Sequence, residues 1–321
     1  MNTLQLKKRC VAKRAFTLIE IMVATVIMVV LVGLVIQITS EVLKVWTRSS
    51  GKLSANAEAR IAMDLITQDL ETAVFRNNGQ QWLRIQGPET TGGNYQDDTV
   101  SLKLFSPALD RPQKYSSSDT LPAGASVGDN IPGDICAIGY RLQHKESYAG
   151  GDPVYALYRM VANSQQTFEH YLDTGDAAAS RQGALTGAVA NKNDWSDATI
   201  TANENYLVSN IVEFKVLVYL NDGKGEPVNA DKDTLALTND YVYVYGGTDG
   251  TDTTTTTTPL LYADVILTVV SDEGLELLRL LNDNRTGTGY EDDGADTAEI
   301  QVVREHGDTF TRRVNFMAHP L

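Results

Sequence analysis

Lys13–Gln37 reads KRAFTLIEIMVATVIMVVLVGLVIQ, and this stretch decides how the rest of the chain is read. Two basic residues, Lys13 and Arg14, stop at Ala15, and an apolar run from Phe16 to Ile36 follows. Those 21 residues would make a helix about 32 Å long, enough to cross a hydrocarbon core of roughly 30 Å. Lys7, Lys8, Arg9, Lys13 and Arg14 all precede the run, which predicts that its N-terminal side stays in the cytoplasm. One charge, Glu20, interrupts it. A carboxylate inside an apolar span costs about 2.5–3.5 kcal/mol on insertion scales, so a partner is expected for it.

An ordinary secretory signal has a shorter apolar core and a small-residue cut after it, and Gln37-Ile38-Thr39-Ser40-Glu41 offers no such site. A plain signal-anchor accounts for length and orientation but not for Glu20. Arg14-Ala15-Phe16-Thr17-Leu18-Ile19-Glu20 resembles the class III signal of type IV pilins and type II secretion pseudopilins. The resemblance implies a leader cut between Ala15 and Phe16 by a prepilin peptidase, which also methylates the new amine of Phe16. It implies that Glu20 faces that amine, on its own chain or on the next subunit, during assembly. The family's usual residue before the cut is Gly, where this chain has Ala15.

The chain has 321 residues, 27 basic and 41 acidic, for a net charge of −14. Residues 1–15 hold five basic and no acidic residues, so without them the balance is 22 to 41, a net −19. An acidic head of this kind argues against nucleic acid or an anionic membrane surface as a partner. Cys10 lies in the leader, which leaves Cys136 without a second cysteine. Ile135, Ala137 and Ile138 around it predict a buried core thiol.

Beyond the span, Ile38, Val42, Val45, Trp46, Leu53, Ile61, Leu65, Ile66, Leu70 and Val74 recur at three- and four-residue steps. No proline occurs between Phe16 and Phe75, and Asn77-Asn78-Gly79 supplies a stop. The pattern predicts one helix of about 90 Å whose apolar stripe packs under a β-rich head. After Gly79 the period becomes 2. Val100, Leu102 and Leu104 mark one strand, and Ile138–Leu142 with Val154–Val161 reads as a hairpin. Further strands are expected at Ile211–Leu220, Tyr241–Tyr245, Tyr262–Val270 and Phe310–Phe316, joined by polar loops at Asn163–Asn205, Asn221–Thr234, Gly246–Thr258 and Asn282–Glu299. The expected fold is α+β, a pilin-like long helix packed on an antiparallel β-rich head. Its divisions are a leader (1–15), a transmembrane half-helix (16–37), an amphipathic half-helix (38–76) and a periplasmic or extracellular head (77–321).

Glu58–Arg76, EARIAMDLITQDLETAVFR, resembles the helix end of the J-type minor pseudopilins. The overall length and Ala263–Leu281 (ADVILTVVSDEGLELLRLL) resemble a longer minor-pilin group, the Verru_Chthon cassette protein C type. These resemblances imply a J-like tip subunit of a type II secretion pseudopilus, held in the inner membrane by one span. Its partners would be the prepilin peptidase and other major and minor pilins. A minor pilin of a type IV pilus or of a dedicated cassette is the alternative, and a pilin-anchored adhesin is another.

Catalytic motifs are absent from the sequence: no nucleophile elbow, HExxH, P-loop or usable CxxC occurs, and His144, His170, His306 and His319 are scattered. The expectation is a non-enzymatic protein. Asn282, Asn284, Thr286, Gly287 and Asp293 fall at the first, third, fifth, turn and twelfth positions of an EF-hand loop, making Ca²⁺ the candidate metal. The first position lacks Asp and the last lacks Glu, so the run reads first as an exposed acidic loop. Tyr241, Tyr243 and Tyr245 alternate with Val242 and Val244, which puts three phenols on one strand face. That face reads as a docking surface for a subunit or sugar, or as one covered by a loop. Intact mass of the native protein should correspond to a chain beginning at methylated Phe16. A retained leader or a different N-terminus overturns the assignment.

Overall fold

The computed structural model describes residues 17–76, 81–87, 89–91, 94–96, 100–108, 114–115, 117, 121, 123–131, 133, 135–146, 153–172, 197–229, 242–246, 254–256, 258–282 and 298–316. Two compact units divide the chain, Met1–Ser50 and Gly51–Leu321. One helix, α1 (Leu18–Glu71), supplies the described part of the first unit and continues as the opening element of the second. At 1.5 Å per residue its 54 residues extend about 81 Å. No proline occurs in it, and its two glycines, Gly33 and Gly51, stand singly and far apart.

The second unit carries twelve described strands: β1 (Leu83–Gln86), β2 (Glu89–Thr91), β3 (Asn94–Gln96), β4 (Ser101–Ser106), β5 (Cys136–Glu146), β6 (Pro153–Val161), β7 (Tyr206–Ser209), β8 (Ile211–Leu220), β9 (Val242–Tyr245), β10 (Thr254–Thr256), β11 (Leu260–Val270) and β12 (Gly307–Asn315). Seven form one sheet in the order β10-β9-β1-β4-β5-β6-β7, and three form another in the order β12-β11-β8. Strands β2 and β3 make a separate ribbon. Pairing is antiparallel except between β9 and β10. The fold is therefore α+β, with the end of a long N-terminal helix packed on antiparallel sheets. The hairpin expected at Ile138–Val161 is β5–β6, in unbroken register from Ile138 opposite Val161 to Glu146 opposite Pro153.

Small residues set how the helix meets the sheets. Ala55, Ala59, Ala62, Met63, Ile66 and Leu70 are the buried apolar positions of α1, at helical spacing along one face. Ala55, Ala59 and Ala62 are the small side chains of that face and Met63, Ile66 and Leu70 the large ones, and all six belong to the main core. The stripe expected from the large apolar residues is thus displaced. Leu53 and Ile61 are exposed, and so are Ile38, Val42, Val45 and Trp46. Val74 lies beyond the helix in an extended segment, where its N–H donates to the Phe105 carbonyl at 2.8 Å.

One apolar cluster joins this helix face to both sheets, taking in Leu83, Leu102, Leu104, Ile138 and Leu142 from the larger and Phe214, Val216, Val265 and Leu267 from the smaller. Cys136 is buried in it, as its neighbours predict. A second cluster on the opposite face of the larger sheet contains Trp82, Phe105, Ala137, Ala156, Tyr158 and Met160. It is completed by Tyr171 and Ile200, from the segments holding α2 (Ser164–Gln166), the π turn after it and α3 (Asp197–Ile200). Consequently β4, an alternating strand in sequence, is buried at all six positions.

Two helices for which no element was expected, α4 (Asp272–Asn282) and α5 (Ala298–His306), flank the loop expected at Asn282–Glu299. Leu278 and Val303 pack with Tyr155, Val212 and Val270 in a third cluster. Gly274 is required where they meet, since a Cβ there would lie 2.4 Å from Val270 Cγ1 and 2.5 Å from His306 Cβ.

A buried polar network sits inside the main core. Asp69 on α1 accepts from Arg159 Nε at 2.9 Å and from Arg159 Nη2 at 3.0 Å, and from the Tyr140 hydroxyl. Arg159 and Tyr140 are cross-strand partners on β6 and β5. Burial, then the Asp69 charge, pushes the Tyr140 phenol well above its ordinary value of 10.0. Asp69→Ala should destabilise the protein by about 3–5 kcal/mol by stranding Arg159, whereas apolar replacement of Asp69, Arg159 and Tyr140 together should be near neutral. The phenol's contribution is present below pH 10 and lost above it, because the unfolded chain ionises first. Urea midpoints should therefore fall as pH rises past 10, and Tyr140→Phe should flatten that slope. Midpoints insensitive to Asp69→Ala would show that the ion pair does not tie helix to sheet.

Candidate assembly surface

In the first unit every described residue of α1 is exposed, and an 18-residue window of the helix has mean hydropathy 2.9. This helix is long and apolar enough to cross a membrane. Large apolar side chains cover its whole circumference, from Leu18 and Ile19 to Val35 and Ile36. A helix apolar all round belongs in lipid or among other apolar helices.

The helix begins in a capping box. Thr17, the residue before the first helical one, accepts from Glu20 N–H through Oγ1 at 3.3 Å. Glu20 Oε2 accepts in return from Thr17 N–H at 2.8 Å and from Thr17 Oγ1 at 3.0 Å. T-x-x-E is the sequence form of this reciprocal cap, which satisfies backbone donors that a helix start leaves open. Glu20 therefore has a partner on its own chain, three residues away. Sequence reasoning found Glu20 through its charge and missed Thr17, although the spacing was visible. Ala15 and Phe16, the cleavage and methylation candidates, lie outside the described residues, as do the first 14 residues.

The tyrosine row faces inward. Tyr243 is 0% and Tyr245 1% exposed, and both belong to the main core. Tyr245 meets the Phe75 ring edge-on with centroids 5.8 Å apart, and Phe75 meets Phe316 at 5.0 Å. The expected docking face is thus a packing face. Strand β9 turns its tyrosines toward α1 and the other sheet because β1 pairs with it at Leu83–Tyr245 and Ile85–Tyr243, and those leucine and isoleucine positions are core. Tyr241 lies outside the described residues.

Of the calcium candidates, Asn282 is the last residue of α4, and Asn284, Thr286, Gly287 and Asp293 lie outside the described residues. Among the described residues no group of three or more His, Cys, Asp or Glu is placed to hold a metal. His306 is buried between α4 and β12, with Nδ1 4.0 Å from Glu273 and Nε2 3.9 Å from Glu305.

On the three-stranded sheet a buried Tyr219, a half-buried Tyr262 and a buried Asp264 lie beneath the exposed Arg313. Tyr219 and Tyr262 stack at 4.4 Å, and the Arg313 guanidinium lies 3.9 Å from the Tyr262 ring centre. Arg313 also donates two bonds of 2.7 Å to Asp264.

No family model matches the sequence, and no curated protein matches it either. A type IV-like pilin from Thermus thermophilus superposes at a TM-score of 0.33 and 8% identity, over 81% of this chain and 94% of that one. That superposition is loose, and the architecture is defined by the elements described above. Thr17→Ala should cost the first helical turn about 0.5–2 kcal/mol. Amide exchange at Leu18–Ile21 in detergent should accelerate accordingly, and unchanged exchange would show that the cap does not hold this turn.

Proposed function

We propose that this protein is a pilin-like subunit that assembles through its N-terminal helix into a membrane-anchored filament. The observation that carries the reading is α1 itself. Its first part is wholly exposed and apolar, while residues 55–70 of the same helix are built into the core of a β-rich head. A helix that served only as an anchor has no need of such integration. A helix that transmits position from a membrane bundle to a head does.

Within this reading, the leader ends at Ala15, Phe16 becomes the methylated N-terminus, and the head lies on the periplasmic side of the inner membrane or outside the cell. A J-like minor subunit near the tip of a type II secretion pseudopilus is the finer assignment, supported by the Glu58–Arg76 resemblance. The type IV pilus and dedicated-cassette alternatives share all of these features. An adhesin using Tyr241–Tyr245 loses its support, since Tyr243 and Tyr245 are core residues. A bound Ca²⁺ at Asn282–Asp293 stays within the proposal as a head-stabilising ion, resting on the spacing of Asn282, Asn284, Thr286 and Asp293 alone.

The Glu20 carboxylate is proposed to be shared between Thr17 and the Phe16 amine of a neighbouring subunit. Glu20→Ala should leave membrane insertion intact, because it removes a charge costing about 2.5–3.5 kcal/mol. It should sharply reduce the amount of protein recovered with sheared filaments, relative to wild type at equal membrane abundance. Equal recovery would remove Glu20 from the assembly contact. Absence of the wild-type chain from every pilin-containing fraction would overturn the filament reading itself.

A further inference from the structure

The three-stranded sheet treats its two edges differently. On the β8 side, Val228 N–H donates to the Val218 carbonyl at 2.9 Å. The Asn229 side chain, fully buried, accepts from Val218 N–H at 2.9 Å and donates to the Val216 carbonyl at 2.6 Å. Pro227 bridges Tyr219 on the same side. This edge is closed by the chain's own segment.

On the β12 side the ladder can be followed bond by bond. Phe316 N–H donates to the Leu261 carbonyl at 3.2 Å, and Ser271 N–H to the His306 carbonyl at 3.1 Å. Both pairs lie on the register that sets Tyr262 opposite Asn315 and Val270 opposite Gly307, with no bulge between. Antiparallel partners alternate between pairs that exchange hydrogen bonds and pairs that do not. Even-numbered residues of β12 therefore bond to β11. Thr309, Thr311, Arg313 and Asn315 turn their N–H and C=O groups the other way, and all four residues are exposed. No backbone group among the described residues meets them.

A long, regular, exposed edge is a template for another strand, and proteins blunt it against unselective pairing with proline, a bulge, a cover or charged side chains. Strand β12 has no proline and no bulge. Its run Thr309–Asn315, TFTRRVN, holds two arginines and no acid, in a chain whose net charge is −14. Arg312 and Arg313 are half exposed at the side chain even while paired with Asp64 and Asp264. The chain's net charge disfavours a second copy at this edge, and opposite charges on directly facing strand positions are favourable.

We propose that the free edge of β12 is a strand-addition site for an acidic extended segment of a partner head, pairing through Thr309, Thr311, Arg313 and Asn315. The partner's identity as another pilin-like subunit rests on the assembly reading above; the edge itself does not. Main-chain bonds would supply affinity, and the arginines would select an acidic strand.

The test uses the full chain in detergent and a capped peptide of alternating Val and Glu, about as long as β12. The peptide should bind and slow amide exchange at Thr309, Thr311, Arg313 and Asn315, leaving the even-numbered amides, already bonded to β11, unchanged. The corresponding Val/Lys peptide should bind at least about tenfold more weakly, a difference of ~1.4 kcal/mol. Thr311→Pro removes one outward donor without touching the β11 ladder, a substitution that edge strands tolerate. It should abolish binding and leave the thermal midpoint within a few degrees of wild type. If that variant does not fold, Asn315→Pro at the strand end makes the same test. No binding, equal binding of the Lys peptide, or binding unaffected by proline overturns the proposal. So does protection of the odd-numbered amides that appears only as the protein self-associates, which would make a second copy the occupant. Filament recovery reads Glu20 and peptide binding reads β12, so either result can fail without the other.

Discussion

Asp69 meeting Arg159 and Tyr140 is the contact on which the arrangement of the head depends. Three elements converge there: the last turns of α1 and the adjacent strands β5 and β6. The pair lies inside the main apolar core, with Arg159 among the largest fully buried side chains. A buried ion pair of this kind adds little net stability, because desolvation offsets most of the attraction. Its consequence is geometric. A helix rotated by one residue turns Asp69 about 100° away, stranding a guanidinium in apolar surroundings. The alanine face of α1 tolerates sliding, since small side chains interlock weakly. The ion pair removes that freedom.

Once the helix is fixed, the rest of the core follows from it. Strands β1, β4, β5 and β6 present Leu83, Leu102, Leu104, Ile138 and Leu157 to the helix side, and the three-stranded sheet presents Phe214, Val216, Val265 and Leu267. At the rim, Arg312 pairs with Asp64 at 2.5 Å, Lys52 with Asp308 at 3.2 Å, and Asn56 with Asp308 at 2.9 Å. These partly exposed contacts are each worth little in water. They nonetheless tie β12 to the helix, and among the described residues its side away from β11 is the sheet's open edge.

The start of α1 follows the opposite logic. In the first unit every described residue is exposed, and local chemistry closes the start of the helix. Thr17 and Glu20 close the first turn between themselves, and Thr25, Thr39, Ser40 and Thr47 return their hydroxyls to carbonyls three or four residues back. Polar side chains satisfied within the helix can sit in an apolar environment at low cost. The same Glu20 that looks anomalous in an apolar run is, in this setting, a cap.

Local periodicity determined much of this protein. A long apolar run without proline could only be a long helix, and alternation at Ile138–Leu142, Val154–Val161, Ile211–Leu220 and Tyr262–Val270 could only be strands. Bonds between near neighbours set those elements, so the sequence contains them. Strand β1 was hidden because four residues, LRIQ, are too short to show a period. Helix α4 was hidden because Leu275–Leu281 continues the apolar content of β11 across Ser271. Tertiary structure alone decided which faces are inside. Alternation says that two faces differ, not which one meets a second layer. Tyr243 and Tyr245 point into the core because β9 pairs with β1, and β4 is buried on both sides because a second cluster covers its polar face. On α1, Ala55, Ala59 and Ala62 join Met63, Ile66 and Leu70 in the core while Leu53 and Ile61 stay exposed, because the phase of the helix against the sheets decides which side chains face inward. Which edge stays open was likewise a matter of tertiary structure, where Asn229 reaches back to close β8 and nothing described returns to close β12.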